Sequence, residues 1–355
     1  DWTYPAFSGT VADGFVWGRG ALDIKNHLIG VMEAVETLLE EGYVPERDVY
    51  LCFGHNEEVM AEGEICGADC MMRWFKERGI KLDSVLDEGG AVVDGVFPGV
   101  NKPIAVIGIG EKGIAQVEFT ATSSGGHSST PPVHTAVGKL AKTIVNLENK
   151  PFKAQVTEPV AGLFRKVGPH SPFALRMVFG NMWLFKGLLG RLASVLGGEI
   201  NAMMRTTVAA TMAQGSKQHN VLPNVATANV NVRLLNNVNQ QQAQAHFDSV
   251  CEKDVTCRFI SYQDASPYAS TESEAWHKVE KAVGDTWRDA IVSPYLMLAG
   301  SDSRRFSRIC RDVYKFSAMA LSKEERGLIH NDNERIAVEK IDQCVEFFHR
   351  LIVQL

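Results

Sequence analysis

The feature that most limits the possible folds is a change of pattern that occurs twice along the chain. Residues 1–112 alternate apolar strand-like runs with amphipathic helical runs, which is typical of a doubly wound α/β domain. The next predicted elements, over residues 113–266, follow the order βαββαβ of a ferredoxin-like unit. The α/β pattern then returns over residues 267–355. We therefore predict one α/β domain with a second domain inserted into it.

An additional segment, residues about 150–205, interrupts the βαββαβ order after its first helix. It is rich in Met, Leu and Phe and is predicted to be helical. Apolar helices of this kind usually pack on a core, and this is the interpretation that we favour. A role in lining a substrate channel is the alternative.

The glycine-rich run Gly108–Gly113 matches the spacing of a dinucleotide-binding fingerprint. That fingerprint needs a helix directly after it, whereas Ile114–Thr120 predicts a strand. The sequence therefore excludes a dinucleotide site at this position.

Composition limits the class of protein. The chain has 355 residues, 45% of them apolar, and a net charge of −6, which does not favour a nucleic-acid partner. Seven cysteines without CxxC spacing indicate reduced thiols. No uncharged apolar run reaches the ~18 residues of a membrane span. We predict a cytoplasmic protein; since the chain begins at Asp1 rather than Met, a removed signal peptide is the alternative.

Acidic side chains lie at predicted junctions between strands and helices. Asp23 lies where a loop enters a helix, and Glu57 and Glu58 follow the apolar run Asp48–Phe53, which predicts a short buried strand. Each residue alone has an ordinary structural interpretation, because Asp is a common helix N-cap and glutamates are common in first turns. Whether these acids form a functional site therefore depends on the other candidate residues of the chain.

Further ligand-type residues follow at later junctions. Asp87 and Glu88 end a strand predicted over residues 82–90, and His330 precedes the last predicted helix. Clustered acids repel one another unless a cation supplies positive charge, and Zn²⁺ takes carboxylate and imidazole ligands. A surface histidine is the alternative for His330 alone, but the full set predicts a metal site.

Six motifs together resemble the M20 family of metallopeptidases, in particular its carboxypeptidase S and N-acyl-amino-acid hydrolase branches. The motifs are Trp17–Asp23, Phe53–Glu58, Leu86–Gly90, Gly125–Ser129, Asn220–Pro223 and Ile329–Arg335. The resemblance covers essentially the whole chain. It implies a zinc-peptidase-like α/β catalytic domain with an inserted ferredoxin-like lid through which the protein forms a homodimer.

The resemblance also implies a role for each site residue. Asp23 would bridge two zinc ions, with Glu58 and His330 completing one position and Asp87 serving the other. Glu57 would be the general base. It further implies a cis peptide bond between Asp23 and Ile24.

The lid residues receive roles in the same way. His127 would stabilise the oxyanion in the active site of a partner subunit. Asn220 and Arg233 would hold the substrate, and Arg304 could share the binding of its carboxylate, with a surface salt bridge as the alternative for Arg304.

One family motif, the early HxD that supplies a further histidine ligand, has no match in this sequence. We therefore expect the second metal position to be incomplete and this chain to have little activity without an upstream segment. His27 is the nearest substitute ligand, but we expect it to turn away with its helix.

The predicted function is metal-dependent hydrolysis of the amide bond in N-acyl amino acids or small peptides with a free C-terminal carboxylate. The alternatives are a dipeptidase, a deacylase of small acyl groups, and a non-catalytic protein that keeps the fold.

Overall fold

Two units, each with its own hydrophobic core, make up the part of the chain that the structure describes. The structure, a computed structural model, describes residues 1–59, 66–95, 97, 99–196 and 198–355. We call the first the α/β unit; it contains Asp1–Gly110, Glu158–Met182 and Tyr268–Leu355. We call the second the inserted unit; it contains Glu111–Thr157 and Trp183–Pro267.

The elements are numbered in chain order across both units. The strands are β1 (Thr10–Ala12), β2 (Phe15–Trp17), β3 (Ser84–Val93), β4 (Ile104–Glu111), β5 (Gly113–Thr122), β6 (Gly126–His127), β7 (Thr207–Gln214), β8 (Val221–Leu222), β9 (Val225–Leu234), β10 (Val255–Gln263), β11 (Ile291–Met297), β12 (Asp312–Leu321) and β13 (Arg335–Ala337). The helices are α1 (Asn26–Glu40), α2 (Gly67–Glu77), α3 (Ala136–Asn149), α4 (Glu158–Val167), α5 (Phe173–Gly180), α6 (Met182–Leu196), α7 (Gly198–Met204), α8 (Gln240–Val250), α9 (Glu274–Thr286), α10 (Ser303–Phe306), α11 (Lys323–Arg326) and α12 (Val338–Ile352).

The α/β unit is built on a four-stranded sheet of order β11-β4-β12-β3. β3 and β12 are parallel, whereas β4 pairs antiparallel with both. Side chains of α9 and α12 pack on one another and on the sheet. Examples are Trp276 of α9, Phe347 of α12 and Phe316 of β12. A separate three-stranded sheet, of order β1-β2-β13, joins the two ends of the chain. The predicted α/β class is confirmed.

β3 differs from the prediction, which ended this strand at its acidic residues. The strand continues to Val93, so that Asp87 and Glu88 lie within it. Opposite the pair Lys315–Phe316 of β12, the register jumps from Asp87 to Gly90. Two extra residues, Glu88 and Gly89, therefore form a bulge, and a bulge changes the directions of the side chains around it.

The predicted buried strand Asp48–Phe53 is wrong. These residues are irregular and exposed, and none of them pairs with a strand among the described residues. An apolar run supplies strand propensity, but a strand forms only where a neighbouring backbone offers hydrogen bonds.

The inserted unit follows the predicted order βαββαβ, formed by β5, α3, β7, β9, α8 and β10. Its antiparallel sheet has the order β10-β5-β9-β7. Alternate residues of the central strands β5 and β9 are buried, and they pack against α3 and α8 through side chains such as Leu140 and Phe247. The short strands β6 and β8 form a two-stranded ribbon beyond this sheet.

The segment predicted at about 150–205 divides between the two units, with Gly197 outside the described residues. α4 belongs to the α/β unit, where Gly162 allows the helix to approach Pro294 of β11 closely. Phe164 stacks on Phe179 with ring centroids 4.5 Å apart. This part of the segment is therefore added core on the α/β unit, and the predicted boundary of the inserted domain differs from the observed division over Glu158–Met182.

Two further observations bear on the predictions from composition. All seven cysteines are free thiols, as predicted. Among the described helices, none combines the length and the hydropathy that a membrane crossing requires.

Substitution of Gly90 by Ala should strongly destabilise the protein. A Cβ at Gly90 would lie 1.8 Å from the carbonyl oxygen of Val106, so β3 and β4 would have to separate. We expect the free energy of unfolding to fall by about 3 kcal/mol or more, measured by denaturant titration.

The matched control is Gly284→Ala. Gly284 lies inside α9, and the nearest atom to its added Cβ is 3.8 Å away. This substitution should leave stability within about 1 kcal/mol of the wild type, or raise it. Equal effects at the two glycines would contradict the close approach at Gly90.

Candidate metal centre and active site

Three of the predicted ligands lie together in the α/β unit. The Nε2 atom of His330 is 2.8 Å from Oδ2 of Asp23 and 3.1 Å from Oε1 of Glu58. One ligand atom of each residue lies within 4.8 Å of the other two. Ligands ~2.1 Å from a shared zinc ion are separated by comparable distances, so this group fits one divalent cation.

Asp23 is held in place by a buried glutamate from the far end of the chain. β2 pairs with β13, with Trp17 opposite Arg335, and this register sets Glu334 against the turn that follows β2. Glu334 Oε1 accepts hydrogen bonds from the backbone N–H groups of Leu22 and Asp23, at 2.8 and 3.2 Å.

The second oxygen of Glu334 completes the arrangement. Oε2 accepts from the backbone N–H of Gly20 and from the Arg19 guanidinium, at 3.0 and 2.9 Å. The peptide bond between Asp23 and Ile24 is cis, as the resemblance implied. Glu334 therefore fixes the backbone from which the Asp23 carboxylate projects.

Glu57 and Glu58 lie on a single 3₁₀ turn, Glu57–Val59. Partial burial, together with the charges of Glu58 and Asp302, raises the pKa of Glu57 to about 7. Asp23 and Asp87 contribute smaller effects in the same direction. Glu57 therefore lies within the field of the predicted ligands without belonging to the three-residue group.

Asp87 and Glu88 place two more carboxyl groups at the bulge in β3. Burial first, and then the charges of Asp87 and Asp23, raise the pKa of the Glu88 carboxyl to about 9. A protonated Glu88 can donate a hydrogen bond to Asp23, with which it interacts. Asp87, predicted for a second metal position, is not part of the three-residue group.

The electrostatics of the cluster favour a cation. The hydrogen bond to Asp23 and the charge of Glu58 raise the pKa of His330, so positive charge is stabilised at this point. Burial is the largest cause of the raised pKa values of Glu57 and Glu88, and repulsion from the neighbouring acids adds to it. A divalent cation would relieve that repulsion.

His27 does not join the cluster. Its ring packs against Phe348 with centroids 4.6 Å apart, and burial lowers its pKa to about 4. His27 therefore faces α12, and the prediction that it turns away from the other ligands is confirmed.

Arg304 lies in the short helix α10, directly after the loop that carries Asp302. Its Nε donates to the carbonyl oxygen of Ser301 at 3.1 Å. A Cβ at Gly300 would lie 1.4 Å from an Arg304 guanidinium nitrogen, so a side chain at this position would displace the guanidinium. Asp302 is close enough for its charge to raise the pKa of Glu57, so this loop borders the Glu57 side of the site.

The predicted lid residues fall into two places within the inserted unit. His127 lies in the β6–β8 ribbon opposite Val221, and the backbone N–H of Ser128 donates to the carbonyl of Asn220. The exposed His127 ring contacts Ser129 Oγ at 2.7 Å through Nδ1.

Arg233 lies near the other end of β9, where it pairs with Ile114 of β5. The eight steps from Val225 to Arg233 cover roughly 26 Å of strand. The structure thus brings His127 and Asn220 together and separates both from Arg233.

Sequence reasoning did not assign a role to Glu334, although the residue falls within the motif Ile329–Arg335. The only available signal was an acidic residue four positions after His330, and such a signal does not reveal that the side chain is buried. Asp302 likewise received no role from the sequence.

Comparison with known proteins places the chain in a family. The sequence profile of peptidase family M20/M25/M40 matches residues 1–354. An N-fatty-acyl-amino acid synthase/hydrolase, PM20D1.1 of Danio rerio, is 35% identical over 99% of this chain and 68% of that protein. A probable carboxypeptidase S-like 2 of Dictyostelium discoideum is 32% identical over 99% of this chain and 67% of that protein.

Solved structures show the same fold at low sequence identity. The M20 family metallo-carboxypeptidase Sso-CP2 from Sulfolobus solfataricus is 17% identical and has a TM-score of 0.65 over 99% of this chain and 80% of that one. The di-peptidase Dug1p from Saccharomyces cerevisiae is 13% identical, with a TM-score of 0.62 over 99% and 75%.

Substitution of Glu334 by Gln should damage both stability and metal binding. The amide NH₂ of Gln would face N–H donors that now point at a carboxylate oxygen. We expect a loss of about 2–4 kcal/mol in the free energy of unfolding and weaker Zn²⁺ binding, because the Asp23 turn loses its support. Denaturant titration and calorimetric metal titration measure the two effects.

The control is Glu324→Gln, which makes the same chemical change at an exposed position of α11. It should leave stability and metal affinity unchanged. If both variants bind Zn²⁺ as the wild type does, Glu334 does not position Asp23.

Proposed function

Because the chain belongs to peptidase family M20/M25/M40, we propose that this hydrolytic enzyme cleaves the amide bond of N-acyl amino acids with a free carboxylate. The observation that carries the proposal is the group Asp23, Glu58 and His330 with Glu57 beside it. These residues provide cation ligands and a separate carboxylate that can move a proton. The M20 family implies a divalent metal, and we propose zinc.

Asp23, Glu58 and His330 would hold the cation, since two carboxylates and one imidazole form a ligand set that suits a catalytic zinc. When bound, the metal supplies Lewis-acid chemistry, which lowers the pKa of water and polarises a carbonyl oxygen. Asp87, on the β3 bulge, would serve any second position.

Glu57 would act as general base. It takes a proton from the attacking water and returns that proton to the nitrogen of the leaving amine. Its partial burial and acidic neighbours hold its pKa near 7, where a carboxylate can both accept and release a proton. Its position next to Glu58 on one turn supports this division of roles.

The substrate carboxylate would be bound by arginine. A guanidinium forms paired hydrogen bonds with a carboxylate, and Arg233 and Arg304 are the residues to which we assign this task. Relatives named for N-fatty-acyl-amino acids and for carboxypeptidase S share 35% and 32% of aligned residues with this chain, which supports substrates that end in a free carboxylate. Among such substrates, a long acyl chain is the feature that distinguishes N-fatty-acyl amino acids from dipeptides.

His127 would stabilise the oxyanion in the site of a second copy of the chain, with Asn220 beside it. The oxyanion and carboxylate of an N-acyl amino acid are about one residue length apart, or ~4 Å. His127 and Arg233 are separated by much more within one inserted unit. This separation supports a homodimer in which each substrate receives His127 and Arg233 from different chains.

Glu57→Gln should abolish turnover while leaving Zn²⁺ affinity near that of the wild type. The variant removes the proton acceptor but none of the three proposed ligands, so kcat should fall by ~10²–10⁴ or more. Release of free amino acid from N-acyl amino acids of different acyl lengths, and from dipeptides, measures activity. Calorimetric titration with Zn²⁺ measures binding.

Glu58→Gln is the matched control on the same turn, and it should weaken Zn²⁺ binding as well as activity. Full kcat in Glu57→Gln would assign the base to another residue. Cleavage of dipeptides without cleavage of N-acyl amino acids would assign the dipeptidase alternative.

Mixing inactive variants tests the second copy. Chains with Glu57→Ala mixed with chains with His127→Ala should regain activity, because one site of each heterodimer then has both residues. In the control mixture, Glu57→Ala with His330→Ala, neither site has both residues and activity should stay absent. If chains exchange and the first mixture also stays inactive, His127 does not act across subunits.

A further inference from the structure

α6 presents an apolar face to solvent, which is unusual for a helix on the surface of a charged chain. Trp183 is 74% exposed, Leu184 61% and Leu188 42%. Gly187 and Arg191 are exposed on the same side. Residues three and four apart share one face of a helix, so these residues form a single outward stripe. We call the stripe of Trp183, Leu184, Gly187, Leu188 and Arg191 the outer face of α6.

The opposite side of α6 is fixed to the inserted unit. Leu189 and Ala193 are fully buried, and the carbonyl of Gly190 accepts a hydrogen bond from Arg205 at 3.1 Å. A Cβ on Gly190 would lie 3.3 Å from Cβ of Ala154, so the helix lies close to the segment that contains Ala154. The helix therefore cannot turn its outer face inward without losing these contacts.

The charged residues of α6 itself all have one sign. Between Glu158 and Glu199 the sequence contains no acidic residue, although the whole chain has a net charge of −6. The same stretch contains five basic residues, and the two that lie on α6 are Lys186 and Arg191. A helix with an apolar outer face, two basic residues and no acidic residue is complementary to a surface with an apolar interior and anionic groups at its boundary.

We propose that the outer face of α6 docks on an anionic lipid surface. Trp183, Leu184 and Leu188 would enter the boundary between headgroups and acyl chains, where tryptophan is favoured. Arg191 would extend its guanidinium to the lipid phosphates. The proposal rests on this helix alone and does not depend on the hydrolytic function.

A second copy of the chain fits this face less well. In a two-fold contact the same face meets itself, which would bring two helices of like positive charge together. A lipid surface with anionic headgroups meets the apolar stripe and Arg191 at the same time.

Co-sedimentation of the full chain with lipid vesicles tests the proposal. The chain should sediment with vesicles of phosphatidylcholine and phosphatidylserine, more weakly with phosphatidylcholine alone, and less as salt is raised. Trp183→Gln with Leu188→Gln should weaken sedimentation about tenfold or more, because two inserted side chains are lost. Arg191→Gln alone should weaken binding to the anionic vesicles about fivefold.

The matched control is Val133→Gln with Ile260→Gln, which changes two exposed apolar residues of the inserted unit outside α6. It should bind as the wild type does. Thermal unfolding of each variant checks that the fold is intact, and Arg191→Gln keeps the test valid if the double variant fails to fold.

Equal sedimentation of the wild type, the double variant and Arg191→Gln would overturn the proposal, as would no binding to anionic vesicles. Loss of a dimer in the double variant, seen by analytical ultracentrifugation without any vesicle binding, would assign the face to a protein contact instead. Since sedimentation needs no turnover, its outcome is separate from the activity test above.

Discussion

Four donors converge on the carboxylate of Glu334, a residue that lies about 310 positions after the turn that it supports. A buried charge without partners is costly, so the turn and the glutamate each require the other. The pairing of β2 with β13 brings the turn and Glu334 together, and this pairing involves none of the proposed metal ligands. The geometry of Asp23 is therefore set by hydrogen bonds from backbone N–H groups near one end of the chain to the Glu334 carboxylate near the other end.

The acidic side chains around Asp23 repel one another in the folded protein. Burial and mutual repulsion raise the pKa values of Glu57 and Glu88, which means that folding disfavours their charged forms. The cluster contains acids whose mutual repulsion disfavours the folded state. It is explained by a cation that binds the folded state and offsets the repulsion, and the family membership supports that explanation.

The sequence predicted most of the fold but not the details that aim the side chains. Every element of the βαββαβ order was foreseen, because alternating burial in β5 and β9 leaves a clear period of two. The strand expected at Asp48–Phe53 failed because pairing depends on a neighbour that the run itself does not specify. The bulge in β3 and the burial of Glu334 are likewise set by partners more than 200 residues away.

The arrangement of the inserted unit limits what one chain can do alone. Arg233 lies near the C-terminal end of β9, and His127 lies in the ribbon beyond its N-terminal end. The sheet between them is held by continuous pairing of β9 with Gly113–Thr122 of β5. Such a sheet does not fold back on itself, so the two side chains cannot both reach the head of one small substrate. If both contribute to catalysis, they must act on different substrate molecules. The cross-subunit role proposed for His127 is therefore a consequence of the register of β5 and β9, given that Arg233 binds the substrate carboxylate.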